Sequence, residues 1–114
     1  MLHEMTLFPK PYASIASGQK TIELRLYDEK RQSIHIGDQI RFTNTEDASQ
    51  TTLCEVVGLH VFKDFRELYE NLPLLKCGYT PEDVDNAHPD DMFTYYSKEK
   101  QAQYGVVGIE LKRI

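Results

Sequence analysis

The stretch Gly18-Gln19-Lys20-Thr21-Ile22-Glu23-Leu24-Arg25 decides how the chain is read. Gly18 ends a helix and lets the backbone turn abruptly. From Thr21 the hydrophobic period changes to two, with Ile22, Leu24 and Leu26 alternating with Glu23, Arg25 and Tyr27. That alternation marks a strand with one face in a core and the other toward something polar. Glu23 and Arg25 then share a face, about 7 Å apart by the rise per residue. Lys20 stands at the mouth of the strand, able to swing over the same place. A Lys, a Glu and an Arg on one sheet face suit a phosphate or the polar edge of a base. An exposed strand face with ordinary surface charge fits the same spacing, and spacing alone leaves both readings open.

Upstream, His3 to Leu7 reads as a short strand. Phe8, Tyr12 and Ile15 recur at helical spacing behind Pro9 and Pro11, which predicts a helix of about two turns closed by Gly18. Downstream, Asp28 to Ser33 reads as a charged excursion. Ile36-Gly37-Asp38 reads as a turn into the strand Gln39–Thr43, and Thr45 to Gln50 as a polar loop tip. Thr51 to Phe62 is rich in β-branched residues, with Gly58 as a bulge. Asp64 and Glu67 form a capping-box pair for a helix that Pro73 stops. Thr80-Pro81 and His88-Pro89 open two further short helices, and Tyr104 to Lys112 closes the chain as a strand. Strand, helix, three strands, helices and strand predict an α+β architecture. Its centre is a small barrel or curled sheet of about five to six mostly antiparallel strands, paired largely with neighbours in sequence. No linker or repeat divides the chain, so residues 1–114 read as one domain.

Gly18-x-Lys20-x-x-Glu23-x-Arg25 follows a Phe8-Pro9 helix start and precedes Ile36-Gly37-Asp38-x-Ile40-x-Phe42. With the closing strand Gly105-Val106-Val107-Gly108-Ile109-Glu110-Leu111, this pattern resembles the ASCH family (activating signal cointegrator homology), which is similar to PUA domains. The resemblance implies a PUA-like β-barrel with short helices at its ends and a cleft beside the first helix that binds RNA or a nucleotide- or nucleoside-like ligand. Lys20, Glu23 and Arg25 would line that cleft, with Gly18, Gly37 and Asp38 structural. One branch of the family hydrolyses the amide of N4-acetylcytidine with a Lys, a Thr three residues later and a downstream Glu. Lys20 matches the first, but Glu23 stands at the Thr position, and the downstream position falls near Cys77, with Glu82 close by. An amidohydrolase here would use Glu23 as general base and Lys20 and Arg25 to stabilise an oxyanion.

The 114 residues carry 13 Lys+Arg against 18 Asp+Glu, a formal charge of −5, which speaks against a cationic protein that coats duplex DNA. The charge is uneven: +1 over residues 1–42, −8 over 43–91 and +2 over 92–114. The acidic helices around 82–91 read as a solvated face. No apolar run is long enough to span a membrane, and no signal peptide is visible. Two cysteines without paired spacing fit a reduced, cytoplasmic setting, with Cys54 as a buried hydrophobe and Cys77 lacking any neighbour that would activate it. His3, His35, His60 and His88 lack metal-ligand spacing, so neither a metal nor another cofactor is expected. Tyr95-Tyr96 with Lys98, Lys100 and Tyr104 could clamp a nucleobase, which would add Lys98 and Tyr104 to the ligand-binding residues. Tyrosines packing a short helix while the lysines are solvated is the competing reading.

Overall fold

The computed structural model describes all residues 1–114. Five strands form one curled sheet, a half-barrel, with short helices around it: β1 (Leu2–Leu7), β2 (Ile22–Leu26), β3 (Gln39–Asn44), β4 (Asp47–Phe62) and β5 (Val106–Arg113). The strand order is β1-β3-β4-β5-β2, so β1 and β2 are its two edges. Three of the four pairings are antiparallel, but β1 runs parallel to β3. Pairing is also less local than the sequence suggests, because β2 joins β5 across the whole chain, with Glu23 opposite Ile109 and Arg25 opposite Val107.

Helix α1 (Pro9–Ser17) forms where predicted. Pro9 occupies its first turn, Tyr12 and Ile15 are buried, and Gly18 closes it with φ of 87°. A side chain at that positive φ would be strained. Tyr12 and Ile15 join Met5, Leu7, Ile40, Phe42, Val56, Val107, Ile109 and Leu111 in the main core. The other face of the sheet has its own core. There Ile22, Leu24 and Leu26 meet Phe65 and Leu68 of α3 (Phe65–Asn71), together with Cys77 and Val106. Strand β2 is therefore covered on both faces, and its polar alternation turns toward the half-barrel rather than toward open solvent.

Several local expectations are corrected. Asp28 to Ser33 is not merely a charged excursion. Asp28 accepts a hydrogen bond from the Arg31 N–H at 3.2 Å and caps a one-turn helix, α2 (Glu29–Gln32). The loop tip shrinks to Thr45 and Glu46, because β4 begins at Asp47. The bulge near Gly58 is present as a register shift between Val56 and Gly58. Asp64 caps α3 through the Glu67 N–H at 2.9 Å. The segments opened by Thr80-Pro81 and His88-Pro89 form 3-10 turns, Val84–Asn86 and Pro89–Thr94, rather than α-helices. A fourth helix, α4 (Lys98–Tyr104), occupies residues read as a clamp and the start of a strand. No helix is long and apolar enough to cross a membrane.

Candidate functional site

Lys20 follows the α1 C-cap, where its N–H donates to Ser14 at 3.0 Å. The next N–H, of Thr21, donates to Lys76 at 2.9 Å, so both ends of this short linker are tied down before β2 starts. Glu23 then points into the gap between the edges β2 and β1 and is only 3% exposed. A buried carboxylate requires partners, and the motif supplies them. Lys20 Nζ lies 2.7 Å from Glu23 Oε1, and the Leu24 N–H also donates to that oxygen at 3.2 Å. Arg25 grips Oε2 with Nε at 3.1 Å and Nη2 at 2.9 Å. Nη2 also donates to the Thr6 carbonyl of β1 at 3.0 Å. Lys20 is thus not a free arm at a strand mouth. It is part of a fixed, nearly buried Lys–Glu–Arg triad.

Burial pushes the Glu23 carboxyl up, but the charges and hydrogen bonds of Lys20 and Arg25 outweigh that and hold it below the ordinary carboxylate range. Burial works against the Arg25 charge, and the Glu23 carboxylate more than restores it. Both oxygens of Glu23 are engaged, which makes it a poor acceptor for a further proton. The donors that remain are on the cations. Nη1 of Arg25 has no protein partner, and Lys20 keeps N–H groups beyond the one given to Glu23.

The triad lines a cleft of about 790 Å³ between α1 and the segment that follows α3. Thr6, Phe8, Lys10 and Ser14 lie on one side, and Cys77, Tyr79, Asp83, Asp91, Tyr95 and Tyr96 on the other. Lys10, Lys20 and Arg25 stand against Glu23, Asp83 and Asp91, so the lining is formally neutral. A chain of hydrogen bonds stiffens the far wall. Tyr69 and Tyr79 hydroxyls are 2.6 Å apart, and Tyr79 donates to Asp91 Oδ2 at 2.7 Å. Burial first, modestly relieved by that hydrogen bond, leaves the Tyr69 phenol pushed up to about 12. Burial and the Tyr69 and Asp91 hydrogen bonds raise Tyr79 further, so both remain protonated donors at neutral pH. The Cys77 thiol is pushed up to about 11, chiefly by burial, and stays unreactive. Cys54, equally buried, is also raised.

The sequence-predicted residues separate here. Lys20, Glu23 and Arg25 come together, and Tyr95 and Tyr96 join them, with Tyr96 also stacked on Phe65 at 5.9 Å. Lys98 and Tyr104 do not line the cleft. Lys98 lies over the Phe93 ring, 5.3 Å from its centroid, in a separate shallow groove beside Asp64 and His88. The Tyr104 hydroxyl ties α4 to Glu29 at 3.2 Å. Helix α4 thus places both outside the cleft. Gly37 and Asp38 sit in the turn before β3. Asp38 collects the His35 N–H at 3.0 Å, His3 Nε2 at 2.8 Å and the N-terminal amine at 3.2 Å. These contacts, the His3 hydrogen bond foremost, hold its carboxyl well below the usual range. The acidic stretch 82–91 is largely exposed, as expected, and two of its carboxylates, Asp83 and Asp91, are exposed onto the cleft. Those two, with Tyr79, were not expected at the site, and Phe8, grouped with Tyr12 and Ile15 on the helix, faces the cleft instead of the core. The helix-start prolines beside them are the only local hint that these segments turn back toward α1.

The ASCH domain family profile matches residues 5–114. The chain belongs to the ASCH family. It is similar to the crystal structure of hypothetical protein PH0355, with 32% identity and a TM-score of 0.81 over 100% of both chains. It is also similar to the solution structure of Protein PF0455 from Pyrococcus furiosus, at 31% identity and a TM-score of 0.73, covering 100% of this chain and 98% of that one. The crystal structure of ASCH from Zymomonas mobilis shares the fold at 14% identity and a TM-score of 0.67, over 97% of this chain and 66% of that one. No curated protein matches this chain significantly. As an ASCH chain it carries the PUA-like half-barrel that the family implies.

Proposed function

We propose that this ASCH chain, with residues 1–114 acting as one domain, binds RNA or a nucleotide-like ligand in the cleft floored by Lys20, Glu23 and Arg25. The observation that carries this reading is the triad itself. Two cations are fixed on a buried carboxylate at the base of a roomy cleft, and Nη1 of Arg25 is left without a protein partner. A guanidinium already oriented by Glu23 loses little entropy on contacting a phosphate or a base acceptor. Lys20 adds a point charge beside it, and Glu23 serves as the anchor that orients both. The hydrolytic reading is weaker, because a carboxylate with both oxygens occupied and its pKa held low lacks the basicity to activate water.

Titration of short single-stranded RNA and of nucleosides, at low and physiological salt, tests the assignment. Arg25→Ala should weaken binding by roughly tenfold or more, the scale of a lost charge-assisted pair. Unchanged affinity in a folded Arg25→Ala protein would remove the site. Incubation with N4-acetylcytidine is the complementary assay. Turnover that vanishes in both Lys20→Ala and Glu23→Ala would replace binding by catalysis.

A further inference from the structure

The chain has seven tyrosines and five phenylalanines. Ten of these twelve are buried or half-buried. The two exceptions are Phe8, 59% exposed, and Tyr95, 58% exposed, and both line the cleft. Neither ring is called for by the packing. Phe8 caps α1 through its backbone, its carbonyl accepting the Tyr12 N–H at 2.9 Å, while Tyr12 and Ile15 do the burying. Tyr95 ends the 3-10 turn Pro89–Thr94, and its ring lies tilted against Tyr96, with centroids 6.4 Å apart. Single exposed apolar side chains are ordinary on a surface, and seven other large ones are exposed here, but two aromatic rings on the walls of one cleft point to a flat partner.

The polar groups narrow the partner further. Arg25 Nη1 and Lys20 Nζ offer donors at the floor. Asp83 accepts the Thr80 N–H on Oδ1 at 2.6 Å and keeps Oδ2 free. Asp91 accepts the Tyr79 hydroxyl and, at 3.2 Å, the His88 N–H on Oδ2 and keeps Oδ1 free. A phosphate presents acceptors alone and would leave the free oxygens of these two carboxylates without a donor. The edge of a nucleobase presents both donors and acceptors around a π face. In a duplex that face is stacked away, so the base must be unpaired. Resting on the proposed function, we infer that Phe8 and Tyr95 stack an unpaired nucleobase whose edge is read by Arg25 on one side and Asp83 and Asp91 on the other. The cleft then selects single strands or free nucleosides over paired RNA.

Anisotropy titrations with a labelled single-stranded RNA, a hairpin of the same composition and competing free nucleoside test this. Phe8→Ala and Tyr95→Ala should each weaken single-strand binding between about fivefold and a hundredfold. Phe8→Tyr and Tyr95→Phe should bind like the parent. Both rings are exposed, so the variants should melt at the parent's temperature. The paired stem should not compete. Competition by free nucleoside assigns recognition to the base alone, and its failure beside tight strand binding assigns it to a base carried on a strand. If Arg25→Ala abolishes binding while the double aromatic variant binds normally, stacking is wrong and the triad site stands. If the stem competes as well as the single strand, the inference fails. If no RNA or nucleoside binds, the inference and the proposed function fall together.

Discussion

Glu23→Gln leaves Lys20 and Arg25 as two nearly buried cations without their shared counter-ion, since their side chains are only 10% and 14% exposed. Breaking such a pair from one side costs about 3–5 kcal/mol, which thermal or denaturant unfolding should show. The pH dependence has a defined sign. Glu23 has a folded pKa depressed below the ordinary carboxyl value of 4.5, so its contribution is complete above that value. It is lost as pH falls through the lower folded pKa. The gap in melting temperature between parent and Glu23→Gln should be widest near pH 7 and narrow toward about pH 3. A gap that stays constant over that range would mean the charge of Glu23 is not what matters. At this scale the sequence was legible in identity but not in setting. The alternation put Glu23 and Arg25 on one face, yet nothing local announces that the opposite edge strand, β1, comes near enough for its Thr6 carbonyl to accept from Arg25.

Gly105 joins α4 to β5 with φ of 71° and ψ of −168°, a region that only glycine occupies readily. A Cβ there would stand 2.9 Å from the Phe62 carbonyl oxygen, which is backbone and cannot give way. Gly105→Ala should therefore destabilise the protein by about 1–3 kcal/mol in chemical denaturation. The strands were readable because β-branched residues and period-two alternation report burial directly. Helix α4 was not, because Lys98-Glu99-Lys100-Gln101-Ala102-Gln103 has no apolar period to detect. Its signals are at the ends, where the Ser97 hydroxyl accepts the Lys100 N–H at 3.2 Å and Gly105 closes the last turn. The 3-10 turns were over-read as helices because proline and an acid mark a helical start without saying how long it runs. The parallel β1–β3 pairing was missed because neighbouring elements in sequence suggest local hairpins, and β1 returns to the sheet only after α1, β2 and α2.

Over the whole molecule, a formal charge of −5 surrounds a cleft whose six ionised groups cancel. Long-range attraction for a polyanion is therefore weak. Affinity for single-stranded RNA should fall gently with salt, with a log–log slope of roughly −1.5 to −2 if two or three cations neutralise phosphates. A much steeper slope would locate binding on another, more basic surface. The edges of the half-barrel meet in an unusual way. Arg25 Nη2 of β2 reaches the Thr6 carbonyl, and Lys30 Nζ of α2 reaches the Glu4 carbonyl at 2.8 Å, so β1 is tied to β2 and to the helix after it by side chains, where no ladder runs. Parting any other neighbouring strands would break a row of backbone hydrogen bonds. Parting β1 from β2 breaks one charge-assisted bond, from Arg25, with that of Lys30 on α2 beside it. The sheet thus has one weak meridian, and the cleft lies along it, since Thr6 and Arg25 both belong to its lining. The Arg25 guanidinium therefore belongs at once to the seam between the two edges and to the wall of the cleft.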